Sequence, residues 1–588
     1  MNSDNYEFSK SSQSQGVDNY SCYTDKQWNY VNDINSGVYS NNSGLTQVQF
    51  DMTSIYNSNG FTDTADLYLT IPIVMTAAYV TSLGAVVALP ASSLGLSGTC
   101  AAYSLCSMKS NHQNLVHQIE IQVDGKNVNE TQPFVNIFQN FRMLSQMSAT
   151  DLAIIGPSIG FSNVLDNEKS AVFSPTLGIQ NNVPYGSDTV SGVIDQSLAA
   201  SVQNTGCVNT AISKRISRVV DTSTVLASSK QKMFGSGAGF IMSSTQLGNE
   251  FKPYFTYVGN VLVWYDLAVL PLKYLTDCMD KIGLTRKLNA IFRLYLNTGS
   301  LSAVVSNTNS ATQAIGAFSN STFPNTCPFT INNVGGAAAA TSSCPATCTA
   351  VCAGLFVARA PTTAIPVNTG SINIGLGVAN HPMPACRCYY SLVKMEPSKA
   401  LMYVEQNRNK LVVYEQIISN LYTGIGSGNS FSQLVQSGIK NPLGICIIPL
   451  ISQATNSFAQ YGSPTDTCPS TLSPISLSNL QVTLGGQNVL NSTLFYTFEN
   501  FLEQILLVDN LTSSDLGIGA GLISQTAWEN LGRVYWVDLK RSRDADKAST
   551  RNLNISFTNN SLISCDVLVF TVYLDKLVID VETGLVRR

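Results

Sequence analysis

One segment of this chain is written twice. "IEIQVDGKNVNETQPFVNIFQNF" begins at Ile119, and "LQVTLGGQNVLNSTLFYTFENF" begins at Leu480. Each opens with an apolar/polar alternation, the period of a half-buried strand. Each then has a two-residue turn containing glycine, and an amphipathic run suited to a short helix. Gly125 falls on Gly486 and Asn127 on Asn488; after one deletion, Phe138, Asn140 and Phe141 fall on Phe498, Asn500 and Phe501. The two turns are therefore expected to be equivalent, each leading into a helix anchored by a phenylalanine pair.

Further matches keep the same order. "VLVWYDL" ending at Leu267 resembles "RVYWVDL" ending at Leu539, with Asp266 on Asp538. "RKLNAIF" from Arg286 resembles "RNLNISF" from Arg551, and "CRCYYSLVKM" from Cys386 lies over "CDVLVFTVYL" from Cys565. Upstream, "LYLTIPI" ending at Ile73 resembles "ICIIPLI" ending at Ile451, slightly shifted. One β unit in two copies implies two similar domains, because the periods of solenoids are far shorter.

The plan that follows is an N-terminal arm over 1–44, a first domain over 45–395, a linker over 396–409 and a second domain over 410–588. The first domain carries insertions at about 163–248 and 300–384, the latter rich in Ala, Ser, Thr, Asn and Gly and expected to project from one end. About eight strands per unit, joined by long loops, point to an all-β sandwich with Greek-key connections. Regularly alternating helices are missing, which disfavours a parallel α/β sheet. Two tandem eight-stranded jelly rolls fit best, with a few short helices: Phe134 to Met147, Pro271 to Ile282, Phe495 to Leu507 and Ser430 to Ser437.

Only 12% of the 588 residues are charged and the net charge is −4. Few charges suit a β-rich chain whose surface is covered by neighbours, since a charged face must be desolvated on assembly. A basic arm for neutralising phosphates is missing, so sequence-specific nucleic-acid binding is not expected. The uncharged run "IPIVMTAAYVTSLGAVVALP", from Ile71 to Pro90, is long enough to span a bilayer. Its terminal prolines, β-branched residues and Gly84 favour a buried strand running into a hydrophobic loop, and no membrane span is expected.

Catalytic chemistry has little to stand on. Of three histidines, His112 and His117 flank one strand start and read as ordinary loop residues, and His381 stands apart. No HExxH, GxSxG or GxxxxGKS occurs, and "GSGAGF" from Gly235 lacks the strand–helix context of a phosphate cradle. Cys327, Cys344, Cys348 and Cys352 gather in one stretch of a chain with fourteen cysteines. Their spacing is not a zinc-ribbon knuckle, so disulfides or free thiols are favoured over zinc. "KRSRDADKASTR", from Lys540 to Arg551, reads as a solvated loop before it reads as a contact for nucleic acid or a minor protein. Sequons at Asn129 and Asn491 are the chance yield of an Asn/Ser/Thr-rich chain. No catalytic, cofactor-binding or metal residue is assigned, and no enzyme activity or cofactor is expected.

Three stretches carry a resemblance: "LVHQIEIQVDGKNVNETQPFVNIFQNFRMLSQMS", "CRCYYSLVKMEPSKALMYVEQNRNKLVVYEQI" and "FSQLVQSGIKNPLGICIIPLIS". In order and character they resemble the double jelly-roll major capsid proteins of icosahedral double-stranded DNA viruses, of the polinton-like virus and virophage type. The resemblance implies a structural protein of the virion. It implies a homotrimer whose six jelly rolls approximate a hexagon, tiling an icosahedral shell assembled inside the infected host cell. It implies contacts with neighbouring capsomers and with penton and minor capsid proteins, and an exterior position for the 300–384 insert. The helices after the two turns would support contacts between domains or subunits. The alternative is a tandem β-sandwich surface binding protein of lectin or adhesin type; a β-sandwich hydrolase is third, for want of a catalytic constellation.

Overall fold

A computed structural model describes residues 23–34, 45–80, 106–108, 112–129, 133–159, 173–174, 178–179, 255–258, 261–304, 329–331, 350–357, 362–367, 370–375, 385–452, 475–490, 495–506, 521–530, 533–540, 549–562 and 564–587. Eight strands recur in both halves. In the first they are β1 (Tyr23–Asn32), β2 (Leu45–Asp51), β3 (Tyr68–Val80), β4 (Val116–Val123), β5 (Lys126–Asn129), β6 (Val261–Pro271), β7 (Ala290–Asn297) and β8 (Arg387–Met395). In the second they are β9 (Lys410–Ile425), β10 (Ser430–Ile439), β11 (Pro442–Ile451), β12 (Leu477–Leu484), β13 (Gln487–Asn488), β14 (Tyr535–Asp538), β15 (Arg551–Asn559) and β16 (Cys565–Ile579).

The strand orders are the same. The first unit pairs β6–β3–β8–β1 in one sheet and β2–β7–β4–β5 in the other. The second pairs β14–β11–β16–β9 and β10–β15–β12–β13. Two four-stranded antiparallel sheets with long crossings between them make a jelly roll, so the chain is a double jelly roll. Alternating burial along β4, β7, β12 and β15 shows each smaller sheet turning one face inward. The first core holds Val48, Phe50, Leu69, Ile71, Ile121, Phe292 and Leu294; the second holds Ile445, Ile447, Val482, Val537, Ile555 and Val569.

The two glycine turns are equivalent. Val123 pairs with Lys126 across Asp124 (φ 51°) and Gly125 (φ 72°); Leu484 pairs with Gln487 across Gly485 (φ 60°) and Gly486 (φ 82°). Positive φ at both central residues is the hairpin turn whose twist suits the flanking strands, which is why DG and GG stand there. In each, an amide of the turn donates to the neighbouring strand's entry, Asp124 N to Asn289 O and Gly485 N to Asn552 O.

Strands match more faithfully than residues. With the turns superposed, Ala290 (opposite Val123) is level with Leu553 (opposite Leu484). The match of Arg286 with Arg551 therefore slips by two, which preserves the inward face because the side-chain period is two. Asp266 lies opposite Ile73, whereas Asp538 lies opposite Gly444, so the Asp266/Asp538 and Ile73/Ile451 matches cannot both hold residue by residue.

Several expectations change. The segment expected to be an arm contains β1, which pairs along β8 from Tyr23↔Met395 to Asn32↔Arg387; its polar residues, spread over both faces (Asp25, Lys26, Gln27 and Asn29), disguise an edge strand. The 396–409 segment is a helix, α3 (Pro397–Gln406). Residues 430–437, expected as helix, lie in β10, whose register shifts around Gln436 break the alternation that would mark a strand. Pro271 to Ile282 splits into a 3-10 turn (Leu272–Tyr274) and a helix, α2 (Asp277–Ile282), closed by Gly283. The run from Ile71 is strand as far as Val80, and residues 81–90 lie outside the described set. No helix among the described residues is long and apolar enough to cross a membrane.

Within the 300–384 insert, Gly299–Val304 pairs with Ala350–Val357, which in turn pairs with β3 from Ile73 to Val80. These strands lengthen the large sheet along the stretch of β3 beyond its pairing with β8, at Tyr68 to Thr70. In the 163–248 insert, the described residues are two short paired strands, Phe173–Ser174 and Gly178–Ile179.

Candidate assembly seam between the two jelly rolls

The helix after the first turn, α1 (Val135–Gln146), is buried almost all round, because its two sides serve different domains. Asn136 and Asn140, one turn apart, face the first unit. The amide nitrogen of Asn136 donates to Asn114 O at 3.4 Å, and Asn140 bonds the Asn114 side chain. Gln139 donates to Leu275 O at 3.0 Å. The apolar side faces the second unit: Phe138 lies 5.4 Å from Phe570 between ring centroids, and Phe141 stacks 6.1 Å from Trp536. Both acceptors stand on the outer face of the second large sheet. Gly444 makes room for the indole, since a Cβ there would lie 2.3 Å from a Trp536 ring carbon.

Electrostatics close the same seam. Arg142 of α1 pairs with Glu415 of β9 at 3.4 Å, their side chains 12% and 8% exposed. The Asp277 carboxylate accepts the Glu415 amide at 2.9 Å. Burial and then the neighbouring Glu415 hold the Asp277 carboxyl above its usual range. A buried pair of this kind costs desolvation and specifies position more than it stabilises.

The second unit reaches back. Val412, Tyr414, Leu577, Ile579 and Val586 belong to the first unit's hydrophobic core. Tyr414 Oη donates to Val128 O at 2.8 Å, Lys410 Nζ to Ile282 O at 2.7 Å, and Arg286 N to Val581 O at 2.9 Å. Each unit thus completes the other's packing. The helix after the second turn, α4 (Phe498–Leu506), buries Phe501 and Ile505 beside its own β14, where Gln504 accepts Asp538 N at 3.1 Å.

The residues weighed for chemistry are dispersed. His112 is buried and its Nδ1 accepts from Val269 N at 3.1 Å. His117 is buried against the edge of Phe134, and burial depresses its pKa to about 4. Both are enclosed, not loop residues. Cys352 lies in the strand Ala350–Val357; His381, Cys327, Cys344, Cys348, Asn491, "GSGAGF" and residues 541–548 of the charged run lie outside the described residues. Asn129 ends β5. Among the described residues no group of three or more His, Cys, Asp or Glu side chains could hold a metal ion. The sequence marked Phe138 and Phe141 but not their acceptors Phe570 and Trp536, nor Arg142 and Glu415; the polar i,i+4 pair opposite the phenylalanines was the available sign of a two-sided helix.

No model of a known protein family matches the chain, and no curated protein matches it. Among solved structures it is similar to a chain of the Sputnik virophage determined by cryo-EM: 10% identity, 96% of this chain and 88% of that one covered, TM-score 0.45. It is also similar to the Faustovirus major capsid protein (9% identity, 94% and 90% covered, TM-score 0.42) and to a PBCV-1 virus capsid chain (9%, 96% and 97%, 0.36).

Proposed function

We propose that this chain is a major capsid protein, assembling as pseudo-hexagonal homotrimers that tile the icosahedral shell of a double-stranded DNA virus. The carrying observation is the seam: two complete jelly rolls of one topology share core residues and a two-sided helix, forming one two-lobed tile. Covalent fusion of like units lowers the number of free bodies whose association entropy must be overcome in a shell. The sequence resemblance to double jelly-roll capsid proteins supports the same role, which is structural rather than catalytic. Further partners on this reading are neighbouring capsomers, penton and minor capsid proteins, and the 300–384 insert is placed on the exterior.

Mass photometry of the purified protein tests the reading, with negative-stain imaging of the same sample. A discrete trimer with a hexagonal outline is expected. A monomer at every concentration, binding a glycan or receptor in that state, overturns it in favour of the surface-binding alternative.

A further inference from the structure

The seam inside the chain has a counterpart made of different side chains. The first unit's large sheet carries an aromatic row: Trp28 and Tyr30 on β1, Tyr68 on β3 and Tyr389 on β8. Trp28 lies 5.8 Å from Tyr68, Tyr68 stacks 4.9 Å from Tyr389, and Tyr389 lies 5.6 Å from Tyr30. Trp28 and Tyr30 are 50% and 49% exposed. The Arg387 guanidinium sits 4.3 Å over the Tyr30 ring; its described polar contact is the Tyr389 hydroxyl at 3.5 Å, and its buried Nε has no partner among the described residues.

The ladders show what this row corresponds to. The same closing hydrogen bond ends both large sheets, Leu272 N to Leu67 O and Leu539 N to Leu443 O, each 2.9 Å. Leu67 is thereby level with Leu443, and Thr70 with Cys446. Thr70 pairs with Arg387 and Cys446 with Phe570; these pair in turn with Asn32 and Ser419. Arg387 is therefore the counterpart of Phe570, Trp28 of Glu415, and Tyr30 of Ile417. The starts of β1 and β9, Tyr23 and Lys410, agree with this offset.

On the helix side, the sequence match sets Phe498 on Phe138 and Leu502 on Arg142. Inside the chain, Phe138 meets Phe570 and Arg142 meets Glu415. The counterpart contacts would set Phe498 over the Arg387 guanidinium and Leu502 against Trp28. Both are chemically matched: a ring on a cation, and an aliphatic side chain on an indole. The crossed combination is not, because Leu502 would put an aliphatic side chain where the buried Glu415 carboxylate meets the Arg142 guanidinium. Phe498 and Leu502 are partly buried in the single chain, and Glu499 and Glu503 beside them are exposed.

We propose that α4 of one copy docks on the aromatic row of the next copy's first jelly roll, with Phe498 over Arg387 and Leu502 against Trp28. The contact joins unlike surfaces, so repetition around a rotation axis closes a ring in which internal and intermolecular seams alternate. The side-chain exchange between the two seams favours that alternation, since α4 fits the first sheet and not the second. This assignment rests on the trimeric capsomer proposed above and names its intermolecular contact.

Trp28→Glu and Leu502→Lys, alone and combined, test it by native mass spectrometry across a concentration series, with circular dichroism confirming the fold. Each single change is expected to raise the trimer dissociation constant at least tenfold; the combination, which restores a paired contact of the Arg142–Glu415 kind, should recover most of it. Hydrogen exchange of the unaltered protein above and below its dissociation concentration should show protection gained at 26–32 and 498–506, a reading that needs no variant. A wild-type trimer that gains no protection there, or whose dissociation is unmoved by both single changes, overturns this contact and leaves the capsomer reading standing. Loss in both singles without recovery in the combination overturns the Leu502–Trp28 pairing. A wild-type protein that never trimerises overturns both.

Discussion

The ring of Phe141 lies 6.1 Å from the indole of Trp536, the planes inclined by 27°, although the two residues belong to different jelly rolls. Phe141 is fully buried and also lies 6.4 Å from Phe501, so it joins α1, α4 and the second large sheet in one aromatic cluster. The helix α1 therefore couples the stability of the two lobes, beside the residues of the second unit that enter the first core.

Phe141→Ala should cost about 3–5 kcal/mol, the usual loss for a buried phenylalanine. The coupling gives the change a second signature. Calorimetry should show one unfolding transition for the wild type and two separated transitions for the variant. A single, uniformly lowered transition would place the coupling elsewhere.

Arg142→Met should cost about 3–5 kcal/mol, because it takes the Arg142 guanidinium away from the buried Glu415 carboxylate beside Asp277. Arg142→Met combined with Glu415→Leu should recover most of that loss, since an apolar pair of similar volume carries no desolvation penalty. Denaturant titration of the two singles and the double gives the coupling directly.

His117 predicts a pH dependence. Its folded pKa is depressed to about 4 by burial, while the unfolded chain titrates near about 6.5. Below that value the unfolded state binds a proton that the folded state does not. The contribution is thus complete above about pH 6.5, declines by up to about 1.4 kcal/mol per pH unit as pH falls, and is exhausted below 4. His117→Phe, beside Phe134, should flatten urea-measured stability between these limits.

Gly444→Ala should destabilise by about 1–3 kcal/mol through overpacking, because the added methyl meets the Trp536 ring at 2.3 Å. The displaced indole should change its fluorescence emission. Gly444→Ala with Trp536→Leu should unfold close to Trp536→Leu alone, since the clash then disappears.

The duplication, the strand-turn-helix motif and the jelly-roll topology were legible in the sequence, since periodicity and turn chemistry are local properties that every strand must carry. "DGKNV" and "GGQNV" announced their turns because only small or glycine residues suit positive φ at both central positions. Burial of one sheet face also tolerates a two-residue slip, so Arg286 could be matched to Arg551 while its true rung lay two residues away. β1 escaped notice because an edge strand with outward Lys26, Trp28 and Tyr30 has no clean alternation to display. β10 escaped because its bulges disturb the period.

The tertiary structure alone decided what Phe138, Phe141 and Arg142 touch. Their acceptors Phe570, Trp536 and Glu415 lie far along the chain, on a sheet whose outer face is indistinguishable in sequence from any other strand position. A helix pattern records that one side is apolar and carries no address for the surface it will meet. That address is set by how two closed sandwiches fit together, which depends on shape, on the vacancy at Gly444 and on a buried charge pair, none of which is a periodic property of sequence.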